Sequence, residues 1–425
     1  MFEIKHRDGA GRIGIIRYKN KKLETPLLLP VINPYKNILP IDTIKKYRIN
    51  AIITNAYILY RKKFDGDIHK FLNFDGIIET DSGSYQMMHY KKELEITNRE
   101  IIEYQIRINS DILNVLDIPT DIDKSKEEAE KELNITIERI KEGIKLKEDK
   151  LINGAIQGGI YVDLRRKSAE YVKDLNIDIF AIGTIVPYMI KYNFYKLLEL
   201  AIEPKILLPS NKPVHLFGMG HTLIIPLSIY LGFDIFDSAS YILFAKDKRI
   251  LTPYGTFRYD EIKNFYIETK NNIYHIEEIK DYNNEELIKI LAEHNLYNLI
   301  KEIEITKDAI KNEYLTDLVL IKAHTHYSLY KATRLILDKY YNYLKSLEPI
   351  RKRSGIFYGG ELNEIRADVK RALERINERV DKKDIEDVFD YIYPFNSFKN
   401  LKWIYMKNWQ EGKLEIQKNS KKILI

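Results

Sequence analysis

The sequence predicts an α/β fold: a (β/α)8 barrel of the TIM type, entered through a short N-terminal hairpin and followed by a small α-rich C-terminal extension. Two observations lead there. Eight apolar runs of strand length alternate with helical patterns over about 240 residues, which is the layout of a parallel barrel. Several of those runs also end on polar side chains that a barrel would gather on one rim. A doubly wound open sheet is the alternative, but no glycine-rich phosphate loop opens any of the helices.

In order along the chain, residues 9–18 and 22–29 read as an antiparallel hairpin turning at Asn20-Lys21. Strands are expected at 27–32, 51–55, 76–81, 111–117, 152–157, 177–183, 213–218 and 234–237. Helices are expected at 98–108, 124–147, 161–175, 192–202 and 222–231. The clearest is 124–147, where Ala129, Leu133, Ile137, Ile140 and Ile144 recur at helical spacing. The barrel is assigned to residues 1–345 and the extension to 346–425.

Composition narrows the function classes. A chain of 425 residues with 45% hydrophobic and 31% charged residues is that of a globular protein with a large core. No apolar run approaches the roughly 18 to 20 residues that span a bilayer, and the N-terminus lacks the layout of a secretory signal. No membrane association and a cytoplasmic location are therefore the expectation. The absence of cysteine excludes disulfides, thiol nucleophiles and cysteine-ligated zinc. An excess of 68 Lys+Arg over 62 Asp+Glu, net +6, permits a nucleic-acid partner without demanding one.

The rim carries the chemistry. Asp81 opens the turn Asp81-Ser82-Gly83-Ser84-Tyr85-Gln86, Asp117 lies in Leu116-Asp117-Ile118-Pro119-Thr120, Gln157 precedes Gly158-Gly159, and Asp237 precedes Ser238-Ala239. Two further strands end in Gly183-Thr184-Ile185-Val186 and His215-Leu216-Phe217-Gly218. Singly, each is an ordinary turn or helix cap. Together at one mouth, three carboxylates and an amide with no histidine cluster suit a reaction at a sugar anomeric centre, one carboxylate attacking and another handling the leaving group's proton. An Asp with a Gln can also read a purine edge, and Tyr85 and Phe217 are placed to sandwich a flat ring.

These motifs, in this order, resemble the tRNA-guanine transglycosylase family. The flanking segments Pro30-Val31-Ile32-Asn33-Pro34, Thr54-Asn55-Ala56-Tyr57, Leu251-Thr252-Pro253 and His294-Asn295-Leu296-Tyr297 are closest to its archaeal branch, as are Lys352-Arg353-Ser354 and Phe357-Tyr358. The resemblance implies exchange of guanine at position 15 of tRNA for 7-cyano-7-deazaguanine on the route to archaeosine. It implies Asp237 as the nucleophile that bonds to ribose and Asp81 as general acid/base. Asp117 and Gln157 would hold the base edge, with Ser82 in support. Tyr85, where the branch usually has Phe, would stack on the base with Phe217, and the backbone around Gly183 to Val186, Ile185 included, would contact the incoming base. Lys246 and Arg249, placed in a loop after the nucleophile, are candidate tRNA phosphate contacts.

Two departures from the family stand out. Its structural zinc uses three cysteines and a histidine, whereas here Phe265 to Asn272 occupies the cysteine region and only His294 is left, so no cofactor is expected. The region at about 260–300 should then be held by packing of Tyr266, Ile267 and Tyr274. The residues after about 366 also leave no room for a terminal PUA module, which is either dispensed with or supplied by another polypeptide; a homodimer or heteromer is expected. A catalytically silent paralogue that binds tRNA or a partner subunit is the alternative function, and an unrelated barrel glycosidase a third.

Overall fold

Eight parallel strands, wound in sequence order around one axis, set the position of everything else. The computed structural model describes residues 2–84, 96–349, 352, 360–379, 415–418 and 421–424. The chain begins with β1 (Phe2–Asp8), β2 (Gly11–Tyr18) and β3 (Lys21–Thr25), a three-stranded antiparallel sheet. The expected hairpin is thus corrected. Turns fall at both Gly9-Ala10 and Lys19-Asn20, with Gly9 at φ 59° and Lys19 at φ 51°, and Pro26, which has no N–H to give a ladder, separates this sheet from the next strand.

That next strand is β4 (Leu27–Pro30), the first stave of the barrel. After it come α1 (Ile41–Lys46), β5 (Ala51–Asn55), α2 (Ala56–Arg61), α3 (Ile68–Leu72), β6 (Ile77–Asp81), α4 (Asn98–Arg107) and β7 (Ile112–Asn114). Then follow α5 (Lys126–Leu146), β8 (Leu151–Ile156), α6 (Val162–Val172), β9 (Ile179–Ile182), α7 (Val186–Ile190), α8 (Phe194–Lys205), β10 (Val214–Leu216), α9 (Ile225–Tyr230), β11 (Ile235–Ser238) and α10 (Ser240–Lys246). Neighbours pair in parallel from β5 through β11, β11 pairs with β4, and a bridge between Val31 and Ile53 links β4 back to β5. Strand order never reverses, so there is no switch point of the kind a doubly wound sheet requires.

All eight expected strands are present, seven with altered ends and 51–55 unchanged. The run 111–117 shortens most: the Asp117 N–H bonds to the Val115 carbonyl at 2.9 Å, so the chain turns off the ladder after Asn114. The capping boxes Thr97/Glu100 and Ser125/Glu128 fix the starts of α4 and α5. Short α1, α2, α3 and α7 have too few residues to show a helical period and were not anticipated.

The period-2 alternation of the strands stacks the interior in layers. Ile77, Ile112, Leu151 and Ile235 pack with Ile53 and Ile179 in one apolar layer, which Ile16, Tyr18 and Leu23 of the N-terminal sheet close from below. Two residues further along the same strands the interior is polar: Glu79 on β6, Asn114 on β7, Asn153 on β8 and Asp237 on β11. The plug at one end leaves the C-terminal end of the strands as the open mouth.

After the barrel come β12 (Arg249–Thr252) paired with β13 (Gly255–Arg258), β14 (Tyr266–Glu268) paired with β15 (Ile273–His275), and the helices α11 (Asn284–Lys311), α12 (Leu315–Ala323), α13 (Tyr327–Lys339), α14 (Tyr341–Leu347) and α15 (Ala367–Arg379). Among the described residues no helix is long and apolar enough to cross a membrane.

One buried ion pair ties the plug to the barrel. Arg12 donates from Nε and Nη2 to the two oxygens of Asp234 at 2.8 and 2.7 Å, and Asp234 also accepts the Val214 N–H at 2.8 Å. Neither side chain has more than a trace of exposure. Asp234→Ala leaves a buried guanidinium without its counter-charge and is expected to lower unfolding free energy by about 3–5 kcal/mol in chemical denaturation. A loss below about 1 kcal/mol would show that the pair does not hold the plug.

Candidate active site

Each rim side chain is aimed by the strand below it. Asp81 ends β6, and its Oδ2 accepts from Asn55 Nδ2 at 3.0 Å. The same Asn55 uses its carbonyl oxygen to cap α2 through Ile58 N at 2.8 Å, which turns its NH2 toward Asp81. The Gly83 N–H reaches Asp81 Oδ1 at 3.3 Å. Burial is the main influence on this carboxyl, and with Asp117, Asp237 and Glu79 nearby it pushes the pKa from 3.8 up to about 7, against the Gly83 hydrogen bond.

Asp117 is held by its loop: Arg139 Nη1 donates to the Leu116 carbonyl at 2.6 Å and Thr136 Oγ1 accepts from Ile118 N at 3.1 Å. Its carboxylate accepts from Ser84 Oγ and from Gln157 Nε2, and Thr184 Oγ1 donates to Gln157 Oε1 at 3.1 Å. Burial raises the Asp117 pKa, and the Ser84 and Gln157 hydrogen bonds oppose it. Behind this row the fully buried Arg165 donates to the carbonyls of Gly159 at 2.7 Å and Gly183 at 3.1 Å, tying together the loops after β8 and β9.

Asp237, on β11, is almost wholly buried. Its Oδ1 accepts the Gly218 N–H at 2.6 Å and faces His215 Nε2 at 3.0 Å. Gly218 has φ 74°, and a Cβ there would sit 2.4 Å from Val186 Cγ2, so only glycine presents this N–H.

The structure thus brings Asp81, Asp117, Gln157 and Asp237 to one mouth. Other expected residues differ in detail. Ser82 Oγ pairs with Ser84 Oγ at 2.7 Å, and Ser84, not Ser82, reaches Asp117. Ile185 is buried with the helix layer, leaving only its backbone for a ligand, and the Gly183 carbonyl is engaged by Arg165. Phe217 stacks on His215 with ring centroids 4.1 Å apart, so one of its faces is covered. Tyr85 lies outside the described residues, as do Arg353, Ser354, Phe357, Tyr358 and both tryptophans. Lys246 is the last residue of α10, not in a loop, and is exposed. Arg249 starts β12, donates to Thr256 Oγ1 at 2.8 Å and lies 4.3 Å over the Phe244 ring.

Sequence reasoning missed Asn55, Glu79, Ser84, Thr184 and His215 as site-building residues. Glu79 and His215 were legible in principle: each stands two residues before a rim residue on the same strand, and so points the same way.

The region at about 260–300, where the resemblance implies a family zinc site, does not fit a zinc ion. The chain has no cysteine, and both nitrogens of the buried His294 face backbone: Nδ1 lies 2.9 Å from Glu268 N and Nε2 3.1 Å from the Leu251 carbonyl. Burial lowers its pKa to about 4, so the neutral ring acts as a brace between α11, β12 and β14. Ile267 is buried and Tyr274 partly so, but Tyr266 is 58% exposed and does not serve the packing role expected of it.

Comparison with known proteins places this arrangement. The family model described as queuine tRNA-ribosyltransferase matches residues 8–328. A protein of Nanoarchaeum equitans named tRNA-guanine(15) transglycosylase is 50% identical over 401 residues, 93% of this chain and 95% of that protein. Proteins of the same name from Methanocaldococcus jannaschii and Pyrococcus furiosus are 43% and 40% identical over 88% and 98% of this chain. The chain spans 59% of the length of the M. jannaschii protein and 72% of that from P. furiosus.

Two outcomes follow from the electrostatics. A carboxyl whose folded pKa lies above its unfolded one favours the folded state at low pH and loses that contribution as pH rises through the folded value, here over the window from 3.8 to about 7. Asp81→Asn should therefore raise Tm relative to wild type more at pH of about 8.5 than at about 5; a difference independent of pH would contradict the buried, raised carboxyl. For His294, chelators should leave Tm unchanged, while His294→Ala should cost about 1–3 kcal/mol by orphaning buried backbone groups. One tightly held zinc per chain in elemental analysis would contradict this.

Proposed function

The chain belongs to the queuine tRNA-ribosyltransferase family, and on that premise we propose that it exchanges guanine at position 15 of tRNA for 7-cyano-7-deazaguanine through a covalent bond between Asp237 and ribose. As a member of this family it is a pentosyltransferase. The observation that carries the finer reading is the pairing of two differently held carboxyls on one rim: Asp237, fixed through one oxygen, and Asp81, pushed up to a pKa of about 7.

The two states suit the two jobs. Asp237 Oδ2 bonds to C1′ of the flipped-out nucleoside as the C1′–N9 bond breaks and its electron pair goes to guanine. Asp81, with a pKa close to neutral, supplies the proton that guanine takes up. In the second half Asp81 takes the proton from the nitrogen of the incoming base, that nitrogen attacks C1′, and the Asp237 carboxylate is released. Asp117 and Gln157 offer a guanine edge what it needs. A carboxylate accepts from the N1–H and the exocyclic amine, and an amide NH2 donates to O6. Gln157 Nε2 donates to the Asp117 carboxylate, so binding a base trades one set of hydrogen bonds for another.

Incorporation of labelled guanine into tRNA tests the reading. Asp237→Asn should leave no exchange above background, and Asp81→Ala should slow it by about 10²–10⁴-fold. Gln157→Ala should raise KM for the base about tenfold, with a smaller effect on kcat. A tRNA carrying adenine at position 15 should take up no label, and unlabelled 7-cyano-7-deazaguanine should chase label out. Wild-type exchange by Asp237→Asn would refute the assignment.

A further inference from the structure

The polar layer beneath the mouth contains groups that this chemistry does not use. Glu79 is wholly buried inside the barrel, two residues below Asp81. Its Oε1 accepts from Asn114 Nδ2 at 2.9 Å and Asn153 Nδ2 at 2.7 Å, and its Oε2 has no partner among the described residues. His215, equally buried, reaches Asp237 Oδ1 with Nε2 at 3.0 Å, while its Nδ1 faces Glu79 Oε1 at 3.6 Å and makes no hydrogen bond among the described residues. Phe217 covers one face of the ring, with a 30° angle between the planes.

Burying an acid, two amides and an imidazole here is costly, and Ile77, Ile112 and Leu151 one layer below show that these strands accept apolar side chains. These polar groups therefore have to be explained by what they touch, and His215 touches Asp237. In the proposed reaction Asp237 acts as a carboxylate, which only accepts, and His215 Nε2 then supplies the hydrogen between them. Oδ1 then takes two donors, His215 and the Gly218 N–H, while Oδ2 takes none among the described residues.

We propose that His215, oriented by Glu79 and by its stack on Phe217, is a positioning residue that clamps Oδ1 of the nucleophile Asp237, presents Oδ2 to the ribose and steadies the carboxylate when it leaves. The inference rests on the reading of Asp237 as nucleophile. In the covalent state the bond to C1′ is through Oδ2, and Oδ1 is the ester carbonyl oxygen. When the incoming nitrogen attacks C1′ the Oδ2–C1′ bond breaks and its electron pair returns to the carboxylate. The charge that develops meets two donors already in place. Because a hydrogen bond to an ion is stronger than one to an ester, the clamp accelerates release of the intermediate more than its formation.

The test uses steady-state guanine exchange together with the fraction of enzyme captured on tRNA under denaturing conditions. His215→Phe keeps a ring on Phe217 and removes the donor. It should lower kcat about tenfold or more, leave KM for tRNA within about twofold, and enlarge the captured fraction. His215→Gln, which restores a donor, should recover most of the rate and return the captured fraction toward wild type. Glu79→Gln, nearly isosteric and expected to fold, should lower kcat at least about threefold, since an amide NH2 replaces one of the carboxyl oxygens around which Asn114, Asn153 and His215 are arranged. Wild-type kcat in His215→Phe, equal losses in His215→Phe and His215→Gln, or a smaller captured fraction in His215→Phe overturns the clamp, and wild-type kcat in Glu79→Gln removes Glu79 from it. Asp237→Asn, run alongside, separates the failures: exchange by that variant refutes the nucleophile itself, whereas its inactivity beside a normal His215→Phe refutes only the clamp.

Discussion

Four carboxyl groups, those of Glu79, Asp81, Asp117 and Asp237, crowd one end of a barrel whose other end is plugged with apolar side chains. Acids placed so close in a poorly polarisable cavity cannot all ionise freely, and each must be given donors or left protonated. The rest of the site answers that constraint. Asn114 and Asn153 serve Glu79, Asn55 and the Gly83 N–H serve Asp81, Ser84 and Gln157 serve Asp117, and His215 and the Gly218 N–H serve Asp237. Unequal supply is what differentiates the acids. Asp81, buried among these acids with only Asn55 and the Gly83 N–H as donors, is pushed toward neutrality, where a group can give and take a proton at cellular pH.

The barrel makes the crowding affordable by layering it. An apolar floor closed by the N-terminal sheet, a polar middle layer and a rim of reactive groups follow from a two-residue alternation repeated on several strands. The Arg12–Asp234 pair fastens the floor to β10 and β11, the strands that carry His215 and Asp237, so the stability of the plug and the geometry of Asp237 share an anchor. The same economy operates where relatives are expected to use zinc: His294 braces α11, β12 and β14 through backbone hydrogen bonds that require no metal.

Much of this was legible in the sequence because strand alternation and strand-end acids leave local signals. All eight barrel strands, and Asp81, Asp117, Gln157 and Asp237 as rim residues, could be read from apolar runs and the polar turns that end them. The errors lie where the signal is not local. Whether 9–29 makes two strands or three turned on backbone conformations at Gly9 and Lys19 and on the missing N–H of Pro26. That Ser84 rather than Ser82 meets Asp117 depends on how the turn after β6 faces a loop 33 residues away. His215 reads as part of a strand-end segment and Glu79 as part of a strand, and only the closure of the barrel shows that an acid on β6 and an imidazole on β10 converge near Asp237.

The claim on which the account rests is that Asp237 forms a bond to ribose. Protein captured on tRNA during exchange can be digested with nuclease and protease and the modified peptide sequenced by mass spectrometry. A ribose-linked adduct is expected on the peptide containing Asp237, localised to that side chain. An adduct on any other residue, or full exchange with no adduct under conditions that preserve glycosyl esters, would contradict it.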